Sequence, residues 1–186
     1  RAGIHETMGR VTIDELVARH ASGNDSAHLA QIEAIKRKAA LLDRLAAGPP
    51  ALAAALKGAP DDVLRRRGPS GKWSMIENAA HARDIERVYQ ERFSKMAFSE
   101  RPAFWMLDND RAVTQLKYAE ADPTAVAKEF RRLREDTLAL LRALPHEAWK
   151  KTGLHPAKGE LTIEQLAARL AGHDDSHIEK IRALRG

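Results

Sequence analysis

The chain has 186 residues, which is enough for one well-packed domain with a small appendage. Hydrophobic residues make up 44% of it, charged residues 31% and aromatic residues 5%, and this balance favours helix over sheet. The absence of cysteine excludes disulfide bonds, thiolate nucleophiles and cysteine-ligated zinc, and the formal net charge is +5.

Capping boxes mark three helix starts, because a hydroxyl residue and a Glu or Gln three positions later can satisfy each other's free backbone amides. The pairs are Thr12 with Glu15, Ser74 with Glu77, and Thr162 with Gln165. Asp122-Pro123 opens another helix, since proline is tolerated in a first helical turn. The sequence therefore predicts four long helices, at 12–47, 74–97, 123–144 and 162–184.

Breaks and shorter elements lie between these helices. Gly48-Pro49-Pro50 is predicted to end the first helix, which resumes at 51–57, and Gly23 is a second weak point in it. Short helical pieces are predicted at 61–66, 109–119 and 146–150. No segment alternates apolar and polar residues convincingly, so no sheet is predicted.

The N-terminus repeats the C-terminus. Residues 3–19 match residues 153–169 at a constant offset of 150, and the match resumes near Asp25 at an offset of 149. Asn24 stands at the position of His173, so this copy lacks one histidine of the later pair. We interpret residues 1–37 as a partial, degenerate repeat and residues 38–186 as the complete domain.

Three histidines are candidates for a metal site. His173 and His177 are four residues apart on the helix face that also carries Leu166, Leu170 and Ile181, so both are predicted to point inward. A third ligand must come from another helix, and His81 is the leading candidate because Ile85 and Val88 share its face. The alternative is that each is an ordinary hydrogen-bonded core histidine.

Several carboxylates accompany these histidines in the sequence. Glu77 and Asp84 lie within about one turn of His81 and are candidates for general bases or for groups that orient the imidazoles, or else are structural. Asp174 and Asp175 either orient the later pair or face water. Tyr89 and Trp105 line a pocket or belong to the core.

Two stretches resemble the DinB/YfiT-like superfamily. The first runs from Gly71-Lys72-Trp73-Ser74 to Glu86 and contains His81, and the second runs from Trp149 to His177 and ends in His-Asp-x-x-His. The resemblance covers residues 38–186 and implies an all-α fold, a four-helix bundle with a long crossover and here an additional N-terminal helix. It implies that His81, His173 and His177 hold a divalent metal, with zinc or nickel the leading candidates.

The same resemblance implies a metal-dependent hydrolase or a transferase that uses a low-molecular-weight thiol. The competing interpretation is a non-catalytic stress or dimerisation module whose metal is structural or absent. We expect a small-molecule substrate and a homodimer. We expect no nucleic-acid partner, because only Arg65–Arg67 forms a pure basic cluster, and no membrane, so the protein is expected to be cytoplasmic.

Overall fold

The computed structural model describes residues 13–185, with side chains from Ser26 onward except that of Ser70. By its internal contacts the chain divides into two units, residues 1–37 and 38–186. Within the first unit, residues 13–37 form the beginning of helix α1 (Ile13–Leu56). The first matching stretch of the repeat falls largely outside the described residues, so the repeat stays a prediction.

The second unit is a helical bundle, as the sequence predicts. Its long helices are the remainder of α1, α3 (Met75–Phe98), α5 (Pro123–Ala143) and α6 (Ile163–Arg185). Helix α3 packs against both α5 and α6 and is therefore the central helix. The shorter helices are α2 (Asp61–Arg65) and α4 (Asn109–Gln115), and single 3-10 turns lie at Pro69–Gly71, Tyr118–Glu120 and His146–Lys150.

An antiparallel hairpin connects the last 3-10 turn to α6, and here the prediction of no sheet is wrong. Strands β1 (Thr152–His155) and β2 (Gly159–Thr162) pair with Thr152 opposite Thr162. The inward positions of β1 are Gly153 and His155, while Leu154 is exposed. The usual apolar alternation is therefore inverted over four residues, which hides the strand from a hydrophobicity pattern.

The bundle core consists of two clusters of buried apolar side chains. One surrounds Met75, Ile76 and Phe130, and the other surrounds Phe93, Leu141 and Leu166. Residues 26–56 are long and apolar enough to cross a membrane by length and composition alone. Leu45 and Leu52 in that segment are fully buried in the core clusters, whereas Leu29, Ile32 and Ile35 are exposed.

Helix α1 continues through residues 48–50, where the sequence predicts a break. Pro49 has no N–H and so cannot donate to the carbonyl of Leu45, four residues earlier. Arg134 replaces the missing donor, because its Nη1 donates to the Leu45 carbonyl at 2.6 Å. A side chain from α5 thus satisfies the carbonyl that the proline leaves free.

The same guanidinium holds two buried carboxylates. Arg134 Nη2 lies 2.6 Å from Glu86 Oε2 on α3 and 2.7 Å from Asp174 Oδ2 on α6, and all three side chains are buried. Burial raises the pKa of Asp174 to about 7, helped by the charge of Glu86 and opposed by Arg134. At Gly48 a Cβ would lie 2.9 Å from Asp174 Oδ2, so the glycine allows α1 to approach this cluster.

Removing the cation should therefore be costly. We expect Arg134→Met to lower the free energy of unfolding by about 3–5 kcal/mol, because Glu86 and Asp174 would remain buried without a partner. Arg131→Met on the same helix removes only an exposed contact to Glu135 and should cost less than about 1 kcal/mol. Urea unfolding at pH 7 measures both, and equal losses would contradict the expectation.

Candidate metal centre

Two capped helices carry the three histidines. The Glu77 N–H donates to Ser74 Oγ at 3.3 Å and the Ser74 N–H donates to Glu77 Oε2 at 2.8 Å, which starts α3. Thr162 and Gln165 form the same pair of bonds at the start of α6, at 2.9 and 3.1 Å. These capping boxes are as predicted, and they fix where each helix begins and hence which residues face the bundle interior.

The structure brings His81 from α3 together with His173 and His177 from α6. One ring nitrogen of each lies within 4.8 Å of the others, and His81 Nε2 is 3.1 Å from His173 Nε2. Two nitrogens bound to one zinc ion at 2.0–2.1 Å lie about 3–3.4 Å apart. The separation observed between His81 and His173 therefore fits a shared ion.

Asn78 fixes the tautomer of His177. Its Nδ2 donates to the carbonyls of Trp73 and Ser74 at 3.1 and 2.8 Å, so its Oδ1 must face the other way. That oxygen lies 2.8 Å from His177 Nδ1, which therefore carries the proton and donates it. The Nε2 lone pair of His177 is left available for a metal ion.

The hydrogen bonding of the other two rings argues against ordinary core histidines. A satisfied core histidine has a partner at each buried nitrogen. His81 Nδ1 and His173 Nδ1 are buried and have no hydrogen-bond partner among the described residues. The polar contacts of these rings are thus concentrated on the side where the three imidazoles meet.

All three imidazoles are neutral near pH 7, the form that binds metal ions. Burial lowers the pKa of His81 to about 4 despite the opposing charge of Asp84. Burial together with the neighbouring histidines lowers the pKa of His173 to about 3 and that of His177 to about 2. Protons therefore compete weakly for these nitrogens.

The three histidines are shielded to different extents. The Trp73 ring lies edge-on to His81, with 4.8 Å between centroids, and 6.2 Å from the ring of His177. His173 is partly buried, whereas His81 and His177 are buried, so it is the most exposed of the three residues. Within the described part of the chain, no fourth histidine or carboxylate belongs to the group.

Comparison with known proteins accounts for this arrangement. The family model of the DinB superfamily matches residues 44–181. The chain belongs to the DinB superfamily. A solved structure, YfiT from Bacillus subtilis, matches with 25% identity and a TM-score of 0.76, over 79% of this chain and 85% of YfiT. It is described as "a probable metal-dependent hydrolase with an unusual four-helix bundle topology".

These matches confirm the predicted family and the four-helix-bundle fold. No curated protein matches the chain.

The two predicted catalytic carboxylates are engaged elsewhere. Arg67 Nη2 lies 2.5 Å from Glu77 Oε1, and although burial would raise the pKa of Glu77, the bonds from Arg67 and Ser74 hold it below its ordinary value. Arg83 donates two hydrogen bonds to Asp84, at 2.8 and 3.1 Å. Among the described residues neither carboxylate hydrogen-bonds an imidazole, so both catalytic roles stay predictions.

The remaining candidates are separated from the three rings. Asp174 is committed to Arg134, and Asp175 is exposed and accepts a hydrogen bond from Arg44 Nε at 3.0 Å. Tyr89 is buried in the core, and Trp105 is 46% exposed.

Asn78, with its bond to His177, is a site residue that the sequence did not predict. Its position three residues before His81, on the same helical face, was the available signal.

Loss of one ligand should abolish tight metal binding. We expect His173→Ala to lower metal affinity by about 100-fold or more, because two imidazoles hold a divalent ion poorly. His28→Ala is the control, since His28 matches His177 in the predicted repeat but is exposed. Elemental analysis of the purified variants measures the metal, and undiminished content in His173→Ala would contradict ligation.

Loss of the Asn78 acceptor tests how the site is oriented. We expect Asn78→Ala to weaken metal binding by about 10–100-fold, because the ring of His177 would lose its fixed tautomer. Ser74→Ala should cost about 1 kcal/mol of stability through the lost cap but keep the metal affinity. A competition titration with a chelator measures the affinities, and equal values for wild type and Asn78→Ala would refute the role of the amide.

Proposed function

We propose that this protein is a divalent-metal-dependent hydrolase acting on a small molecule. The supporting observation is the convergence of three neutral imidazoles, His81, His173 and His177, of which His173 is only partly buried. Structural zinc sites are closed by four protein ligands, whereas catalytic sites keep three and leave a position for water or substrate. The description of YfiT as a probable metal-dependent hydrolase supports the same proposal.

The chemistry divides between the ion and the chain. A divalent ion such as zinc or nickel supplies Lewis-acid chemistry, polarising a substrate oxygen and activating water for hydrolysis. Asn78 holds His177 in the metal-binding tautomer, and Trp73 packs against the rings of His81 and His177. Asp174, paired with Arg134, ties the helix that carries His173 to the rest of the bundle.

Proton transfer has two candidate groups. Asp84 and Glu77 both lie on α3 within one turn or so of His81. Asp84 is the stronger candidate for a base or an orienting group, because its charge reaches His81 and raises the pKa of that imidazole against the effect of burial. Glu77 is held at a low pKa by Arg67 and Ser74, which makes it a weak base.

The expected partners are a small molecule and a second copy of the chain. Nucleic acid is disfavoured because Arg65 hydrogen-bonds Asp61 at 2.8 Å and Arg67 pairs with Glu77, so two members of the basic cluster are used internally. A thiol-dependent transfer would use the same imidazoles. Its low-molecular-weight thiol would be a second substrate, since the chain has no cysteine.

Activity screening with matched variants tests the proposal. We expect the purified protein to hydrolyse at least one member of a panel of esters, amides and phosphoesters, and His173→Ala to lose this activity by at least about 100-fold. Arg131→Met should retain it. Turnover that appears only with added glutathione or cysteine would identify a transferase, and a metal-loaded protein inactive in both assays would favour the non-catalytic interpretation.

A further inference from the structure

A second polar cluster lies nearer the C-terminal end of α3 than His81 does, and its central residue is Arg92. This side chain, on α3, is only 6% exposed. Its Nη2 donates to the carbonyl of Trp105 at 2.8 Å, but its Nε is buried with no partner among the described residues. No described carboxylate forms an ion pair with it, although a buried cation without a counter-charge is costly.

Aromatic rings surround the guanidinium without neutralising it. The Arg92 Cζ lies 5.3 Å from the ring centroids of both Tyr89 and Phe104. The charge of the adjacent Glu91 acts on Arg92, but the Glu91 oxygens pair with Lys95 at 2.7 Å and accept from Trp105 Nε1 at 3.3 Å rather than from Arg92. The positive charge of Arg92 is therefore available to an anion.

The hairpin brings a second donor to this place. The 102–104 segment joins β1 through two backbone bonds, from Leu154 to Pro102 and from Phe104 to Leu154, each 2.9 Å. The Phe104 ring lies so close to Gly153 that an added Cβ would be 2.3 Å from it. His155, at the end of β1, thus lies beside the segment that covers Arg92.

The tautomer of His155 leaves an N–H group free to donate. Its Nδ1 accepts a hydrogen bond from the Ala157 N–H at 3.2 Å, so the neutral ring carries its proton on Nε2. Burial lowers the pKa of His155, and the charges of Arg92 and Arg169 lower it further. His155 is therefore a neutral donor close to two cations.

Arg169 completes the group from α6. The side chain of Arg169 hydrogen-bonds Tyr89, and Arg92 Cζ lies 5.3 Å from the centroid of the same ring, so Tyr89 contacts both guanidinium groups. Arg169 is also exposed, which gives the cluster a side that faces solvent.

The cluster shares helix faces with the metal centre. Arg92 follows His81 by eleven residues, which is about three turns, so the two lie on the same face of α3 about 16 Å apart along the axis. Arg169 precedes His173 by four residues and shares its face of α6. Ile85 and Val88 lie between them on this face of α3 and are 8% and 6% exposed, so a substrate that reached both sites would lie against these two apolar side chains.

We propose that Arg92, His155 and Arg169 bind an oxyanion, a carboxylate or phosphate group, at the end of the substrate opposite to its reacting group. The assignment of this anion to a substrate rests on the proposed hydrolase function, but the anion site itself does not. Guanidinium and imidazole N–H groups are the donors that bind such anions most strongly.

Titration with inorganic phosphate tests the site. We expect phosphate to raise the unfolding temperature of the full-length protein in a saturable way at constant ionic strength, with chloride as the reference salt. Arg92→Met should raise the half-saturating phosphate concentration by at least about tenfold, through loss of a charge-assisted donor. Arg87→Met, on the same helix but exposed and paired with Glu129, should match the wild type.

Two further variants separate the alternatives. His173→Ala should keep the wild-type response to phosphate, whereas a lost response would place the anion at the metal centre and overturn the proposal. His155→Phe should weaken phosphate binding by about tenfold and serves if Arg92→Met does not fold. The proposal would be overturned if the wild type showed no saturable response, or if variants at Arg92 and His155 kept an unchanged affinity for phosphate. Arg92 would then serve only to support the 102–104 segment.

Activity is not needed for this test. Saturable phosphate binding by a wild-type protein that hydrolyses no member of the panel would support the anion site while the proposed function failed. Hydrolysis by the wild type together with normal phosphate binding in Arg92→Met would do the reverse.

Discussion

The fold around the metal centre depends on one buried guanidinium. Arg134 on α5 contacts Glu86 on α3, Asp174 on α6 and the Leu45 carbonyl of α1, so a single side chain touches all four long helices. Charged groups in an apolar core tolerate few alternative arrangements, because each must keep its partner. Since Asp174 adjoins His173, this contact also helps to hold the two candidate metal ligands of α6 in place.

Much of the arrangement follows from the sequence. Ser74 and Thr162 predict helix starts that the structure confirms. The spacing of His173 and His177 predicts that both lie on the inward face of α6, and there they meet His81. A capping residue and a helical period are local properties, so they survive whatever the tertiary structure adds. The convergence of His81 with this pair was an expectation from facing helices and a family resemblance, and the bundle provides it.

Failures of prediction occur where a distant residue decides the outcome. Pro49 is a helix breaker by every local rule, and only Arg134, 85 residues further along the chain, keeps α1 continuous. The bond from His177 to Asn78 likewise joins two helices, so no local pattern contains it. The pairing of Glu77 with Arg67 and of Asp84 with Arg83 is visible only in the folded chain, and it does not test the catalytic roles predicted for the two carboxylates.

The close packing of Phe104 on Gly153 bears on the order in which the molecule assembles. A two-stranded hairpin is marginal by itself, and this one gains support from the bridge between Ala103 and Leu154. Those partners are about fifty residues apart in sequence, so they meet only after α3 and α6 have docked, which makes this region a late step in folding. Contacts that form last also tend to open first. We therefore expect the backbone amides of the 102–104 segment, which covers Arg92, to exchange faster than those of α3 and α6 around the histidines.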